Sequence, residues 1–447
     1  MKKELTEAIK VAGKIVDNWL PMKIRYDHTP GAVVCIAVNG VPKYVSAFGL
    51  SDIGKDIEMK TDAQFRVASM SKMFTAVSIM QLQEKGKLRL DDKVSDYLSW
   101  FKGKTKETNL SNITIRQLLS HNAGLFRDGD AQQWVNDKFP TKLEGTVSSK
   151  AIVFDNATTM KYSNHGYSIL GAVIEKVSGD SYDKYVTENI TKPLGLKNTL
   201  PDLPDKIPAK LTRGYERWTP DVIDRQKEPN IKTNTYAPAT GFISNVQDLA
   251  LFLSSLHPDS KKSVLNRESR KAMRQVQSIV SKDEMYGLGL CIETVTGQQT
   301  YGHSGGFAGY VTNAISHIED NVQVIVLTNT QSNTAGAVSD NLMRLIYDLK
   351  DSKDIKSIPN EPYSGMYRNR WGDMVIVSTG DDLVGFGASA SNPVQAWSKY
   401  KKVKQHSFKN QDKIGFGTPG EVITFKKVKD GKAQTISSDG ADMERVY

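Results

Sequence analysis

Ser69-Met70-Ser71-Lys72 sets a hydroxyl three residues ahead of an amine, and Tyr162-Ser163-Asn164 and His303-Ser304-Gly305-Gly306 follow in that order. A serine hydroxyl is a weak nucleophile until a neighbouring base takes its proton. Lys72 would be that base, the phenol of Tyr162 would pass the proton on, and the glycine-flanked 303–306 run would lay backbone against a substrate. Each pattern alone is weak. Ser-x-x-Lys recurs at Ser99/Lys102, Ser181/Lys184 and Ser398/Lys401, and Tyr-x-Asn recurs at Tyr367/Asn369. The order of the three and the setting of the first carry the signal.

That setting is a change of period. Phe65-Arg66-Val67-Ala68 approaches like an apolar strand, and Met73, Phe74, Val77 and Met80 then recur at helical spacing until Gly86. Ser69 therefore falls at a helix start, where its N–H and the helix dipole favour an oxyanion. Lys72 is one turn on and shares its face. A lone Ser-x-x-Lys reads as a capping serine and a surface lysine, but apolar flanks draw Lys72 inward. To act as a base near neutral pH it must lose about three pKa units, roughly 4 kcal/mol. Asn164 would face the same way as Tyr162 in an extended segment, orienting Lys72 or a substrate amide. The N–H of Gly306 is the candidate second oxyanion donor. His303 would meet a substrate carboxylate or assist proton transfer, against a plain strand-end histidine.

Gly302-His303-Ser304-Gly305-Gly306 also matches the G-x-S-x-G elbow of another hydrolase class, which needs an apolar strand before it and a helix after it. The residues before it are polar and those after it strand-like, so it reads as a decoy. His121 reads as fixing a helix-to-loop turn. The remaining histidines lack ligand spacing, so neither a metal nor any other cofactor is expected.

Around these residues, 31–49 read as an antiparallel hairpin turning at Gly40, and strand patterns return at 286–295, 308–316 and 322–328. Residues 90–235 read as helix and loop broken by prolines, while 3–20 and 335–350 read as helices. The expected assembly is α+β: one antiparallel sheet from both ends of the run, flanked by helices, with a helical insert. Charged, proline-bearing residues 351–362 read as a linker after a catalytic domain at 1–350. Short alternating runs in 363–447 read as a small antiparallel β-barrel.

The chain of 447 residues is 39% hydrophobic and 24% charged, as a globular protein with a sizeable core should be. Its 59 basic and 50 acidic residues give +9, but the signs are interleaved. A mixed solvated surface is expected, not a nucleic-acid groove. No run reaches the roughly 20 apolar residues that span a bilayer, so no membrane partner is expected. Cys35 and Cys291 sit in apolar runs and read as free buried thiols. The opening Met-Lys-Lys lacks an apolar stretch behind it, giving a cytoplasmic expectation.

With its three motifs, Phe65-Arg66-Val67-Ala68-Ser69, 113–121 and Thr240-Gly241-Phe242-Ile243-Ser244, the chain resembles the penicillin-recognising serine hydrolases over residues 28–348. The branch is that of class C β-lactamases, D-alanyl-D-alanine carboxypeptidases, D-aminopeptidases and related esterases. The resemblance implies an acyl-enzyme on Ser69, with Lys72 and Tyr162 handling protons and a β-lactamase/DD-peptidase-like fold. It also implies small peptide or ester substrates, β-lactams as acylating ligands, and a lipocalin-like C-terminal barrel that borders the site or builds a homo-oligomer. One departure stands out: many relatives begin the third motif with Lys, and here it is His303, which argues against efficient β-lactam hydrolysis. The leading expectation is a serine peptidase or amidase acting on short peptides with D-residues. Its competitors are a carboxylesterase with weak β-lactamase activity and a non-catalytic penicillin-binding scaffold or sensor.

Overall fold

The computed structural model describes residues 3–103, 109–129, 132–146, 152–155, 157, 159–221, 225–295, 297–352, 356–357, 361–414, 418–438 and 441–446. The chain forms two compact units, Ala32–Ala335, and Met1–Gly31 taken with Gly336–Tyr447.

In the first unit, two strands are apolar or small along most of their length and buried at every position: β1 (Gly31–Val38) and, far along the chain, Val322–Thr328. Strands covered on both faces read this way, and they pair at the sheet's centre with Cys35 opposite Ile325. β2 (Val41–Asp52) returns from β1 through Asn39-Gly40, both at positive φ as a tight hairpin turn requires. β3 is Ile57–Glu58, and β4 (Phe65–Arg66) pairs apart from the main sheet with β5 (Ile243–Ser244). β6 (Ser278–Ile279), β7 (Glu284–Tyr286), β8 (Cys291–Val295), β9 (Gln298–Phe307), β10 (Tyr310–His317) and β11 (Val322–Thr328) follow. The resulting antiparallel sheet runs β3-β2-β1-β11-β10-β9-β8-β7-β6.

Helices flank this sheet. The helix Val246–Ser255 lies against β10 and β11, and the helix Ser71–Glu84 is buried along nearly all its length. Phe74 locks them together, stacked 3.7 Å from Phe252 and 4.5 Å from Phe242. The helix Asn164–Ser178 packs on Ser71–Glu84 and supplies the next layer.

The 286–295 run, expected as one strand, is β7 and β8 separated by a turn. Gly289 has φ +76°, and a Cβ there would stand 2.5 Å from that of Ala76. The turn thus lets the sheet edge close on the helix bearing Lys72. The N-terminal helix runs from Lys3 to Tyr26, past Pro21 and beyond the expected end at 20. Buried Met22 and Ile24 beyond the proline hold the extra turn despite one lost backbone hydrogen bond.

In the second unit, eight strands pair in chain order from Gly365–Asn369 to Ala441–Arg445, and the last pairs with the first to close a barrel. Closure removes the exposed strand edges that invite aggregation. Tyr367, Ile376, Leu383, Tyr400, Phe408, Ile423, Phe425 and Ile436 fill its interior. Arg445 ties the closing strand down by donating to Ser364 O at 2.8 Å, Pro362 O at 2.9 Å and Tyr367 Oη at 2.6 Å. The N-terminal helix reaches the barrel through Trp19 Nε1 to Ala390 O at 3.0 Å. Arg445→Ala leaves these acceptors without their charged donor, so a loss of about 2 kcal/mol is expected in denaturant unfolding of the barrel. A variant as stable as the parent would show that the arginine does not hold the seam. Of the expected linker at 351–362, residues 353–355 and 358–360 lie outside the described residues. No described helix is long and apolar enough to cross a membrane.

Candidate active site

The run Ala63–Met70 is buried except at Ser69, which is partly open. Ser69 does not begin the α-helix as expected; it lies in a 3₁₀ turn, Ala68–Met70, and the α-helix starts at Ser71. Ala68 takes φ +50°, a region costly for a side chain bearing Cβ. Buried surroundings hold it there. Ser71 Oγ accepts from Phe242 N at 3.0 Å and donates to Ala68 O at 2.5 Å, pinning the turn from below.

Lys72 is fully buried. Its Nζ lies 3.2 Å from Ser69 Oγ, 2.7 Å from Asn164 Oδ1 and 2.8 Å from Ala239 O. Burial pushes this amine well below an ordinary lysine; the charge of Asp128 opposes the shift and that of Arg127 adds to it. A neutral amine has two N–H bonds and one lone pair. Donating to Asn164 Oδ1 and Ala239 O leaves the lone pair for the Ser69 hydroxyl, which is the arrangement of a base.

Asn164 is the first residue of a helix and not part of an extended segment. Ser163 caps that helix, its Oγ accepting from Gly166 N at 2.8 Å. Asn164 Nδ2 donates to Asp128 Oδ1 at 2.6 Å, which holds the amide oxygen toward Lys72. The Tyr162 ring lies 4.7 Å from Lys72 Nζ, and its hydroxyl hydrogen-bonds Ser69. Burial pushes this phenol above its ordinary value, and the Ser69 bond only partly offsets it. An amine shifted toward its neutral form thus stands beside a phenol shifted toward its protonated one.

His121 does more than fix a turn. Its Nδ1 accepts from Ser163 N at 3.1 Å, and its ring lies 4.3 Å from that of Tyr162.

On β9, His303 and Gly305 share one face, while exposed Ser304 and Gly306 alternate to the other. His303 is buried and both nitrogens are engaged, Nδ1 with Ser304 O at 2.5 Å and Nε2 with Tyr286 Oη at 3.1 Å. Burial pushes it down to about 3, so this histidine is neutral. The G-x-S-x-G run lies inside a ten-residue strand with no helix after it, so no nucleophile elbow forms. The β8 ladder ends at Gly302, opposite Cys291, and among the described residues no strand pairs beyond it along that edge of β9. Gly306 is exposed, with open space where a Cβ would stand.

Gly305 has no such room. A Cβ there would lie 2.2 Å from Val67 O and 2.6 Å from Thr312 Oγ1. Gly305→Ala must lift the Val67–Ser69 turn off β9, for about 1–3 kcal/mol of stability and at least a tenfold fall in Ser69 reactivity. Activity unchanged in the folded variant would mean that the turn can move without harm.

Residues 22–348 match the Beta-lactamase family. The chain belongs to this family of serine hydrolases. Two relatives are protein flp of Staphylococcus aureus (strain MW2), 25% identical over 388 residues, covering 86% of this chain and 74% of that one, and penicillin-binding protein 4* of Bacillus subtilis (strain 168), 29% identical over 325 residues, covering 69% and 70%. A D-stereospecific amidohydrolase from Streptomyces sp. shares the fold at TM-score 0.62 and 24% identity, over 76% of this chain and 98% of that one. The β-lactamase-like sheet and the Ser69, Lys72 and Tyr162 cluster lie within the matched residues. Arg127, Asp128 and the Ala239 carbonyl complete the surroundings of Lys72, and sequence reasoning missed all three. Arg127-Asp128 lies in a loop of no distinctive pattern, and a carbonyl acceptor leaves no trace in residue type.

Proposed function

We propose that the chain is a serine amidase or peptidase that acts through an acyl-enzyme on Ser69, on short peptides carrying D-amino acids at the scissile bond. One observation carries the reading: a fully buried Lys72, pushed by that burial well below an ordinary lysine, with its Nζ 3.2 Å from Ser69 Oγ. In acylation the Ser69 oxygen bonds to the substrate carbonyl carbon while its proton passes to Lys72 Nζ. The carbonyl oxygen, now anionic, is received by the N–H groups of Ser69 and Gly306. Tyr162 gives its proton to the departing amine and is resupplied from Lys72, and the C–N bond breaks. Water then attacks the acyl-enzyme by the same route reversed.

Substrate backbone would lie along the open edge of β9 at 303–306, where main-chain groups can pair with an added strand. The D-preference is supported by the D-stereospecific Streptomyces neighbour. We take 1–350 as the catalytic domain and 363–447 as an appended barrel, and expect a cytoplasmic protein that can self-associate. The test is incubation with a fluorescent penicillin and with D- and L-peptide amides, followed by peptide mapping. A covalent adduct on Ser69 and release of ammonia from the D-amides are expected. An adduct on Ser304, or none on folded protein, would overturn the reading, and equal rates on D- and L-amides would remove the D-preference.

A further inference from the structure

With His303 neutral and buried where many relatives carry lysine, the site needs another source of positive charge if it is to attract an anion. Among the described residues around Ser69, the candidates reduce quickly. Lys72 is fully buried and committed to three partners. Burial lowers His121 as well. Asp128 is occupied, its Oδ1 accepting from Asn164 at 2.6 Å and its Oδ2 lying 3.3 Å from Arg127 Nε.

Arg127 differs from all of these. Its side chain is 64% exposed, and its guanidinium carbon lies 5.3 Å from the centre of the Tyr162 ring. The nearby carboxylate takes Nε, the inner edge of the group. A planar guanidinium held at Nε against a carboxylate and resting near an aromatic ring presents its two outer nitrogens in a fixed fork, the geometry that suits a second carboxylate. Holding it this way also reduces the rotamer entropy that a free arginine would lose on binding.

We propose that Arg127 is the specificity-determining cation of this site, selecting substrates with a carboxylate on the acyl portion, beside Tyr162. The proposal rests on the acyl-transfer reading above and narrows its substrates to acidic ones. It assigns to the 127–128 loop the charge that the third motif lacks. Its anion-binding place is on the tyrosine side of the site, apart from the β9 edge, so a neutral His303 and an acid-selective enzyme are compatible.

The experiment compares isosteric substrates that differ by one charge: N-acetyl-glutamyl and N-acetyl-glutaminyl 4-nitroanilides, each in both enantiomers. The parent should prefer the glutamyl substrate by tenfold or more in kcat/KM, with the difference in KM. R127Q should erase the glutamyl-over-glutaminyl ratio whatever it does to the absolute rates, and R127K should keep part of it. Added salt should shrink the preference, because the cation is exposed. Equal turnover of the two substrates by the parent, or a preference that survives R127Q, would overturn the assignment. Calorimetric binding of the same pair to folded S69A, with R127Q/S69A as control, makes the comparison without turnover. If the parent hydrolyses neither substrate and no penicillin adduct forms on Ser69, the acyl-enzyme reading fails. Equal binding of the pair to S69A sinks the role of Arg127 by itself.

Discussion

Ser69→Ala is expected to yield a folded protein without turnover, with kcat reduced by at least about 10⁴-fold, in line with loss of the nucleophile in other serine hydrolases. The size of the effect follows from the lack of a substitute. Ser71, the nearest hydroxyl in sequence, is buried and spends its oxygen on Ala68 O and Phe242 N. Ser304 is exposed on the opposite face of β9 from His303 and Gly305. Ser69 is only half-buried, so losing its hydroxyl should cost about 1 kcal/mol of stability or less, and circular dichroism should be unchanged. Ser304→Ala is the control and should keep most activity. Substantial turnover by S69A, or a dead S304A, would reverse the assignment of the nucleophile.

The second large effect concerns Lys72. Lys72→Ala should lower acylation by several orders of magnitude, and Lys72→Arg should fail to rescue it, because a guanidinium with a pKa above 12 cannot serve as base. The parent's pH profile gives a separate check. Burial favours the neutral amine, so kcat/KM should rise with pH through an ionisation well below the roughly 10.4 of an ordinary lysine. An acid limb that tracks an unperturbed lysine would mean that another group accepts the proton. Stability follows the same linkage. The unfolded chain takes up a proton at this lysine that the fold resists. In the window between the lowered native pKa and about 10.4, the Lys72 contribution therefore makes the fold less stable as pH falls. An active enzyme thus carries its base at a cost in stability, which is common where function demands a buried ionisable group.

The sequence by itself singled out the candidate reacting groups and most of the frame. The period change at Ser69, the phenol and amide of Tyr162-Ser163-Asn164, the mostly apolar 322–328 strand and the alternating C-terminal runs are all local patterns. Side-chain periodicity reports burial directly, and these patterns specify the main sheet elements and a barrel-forming tail. Tertiary structure decided what local pattern cannot hold. Lys72 is pushed well below an ordinary lysine by burial, while residues 92 and 167 positions away bring its amine an amide oxygen and a carbonyl. The helix begins at Ser71 rather than Ser69, after a 3₁₀ turn in which Ala68 stands at positive φ. His303 is neutral because the Tyr286 hydroxyl and the interior of the sheet surround it. Arg127 reaches the site because Asp128 beside it is anchored to Asn164. Desolvation and charge act through space, so they depend on which distant segments meet, and a residue's type and its chain neighbours do not record that meeting.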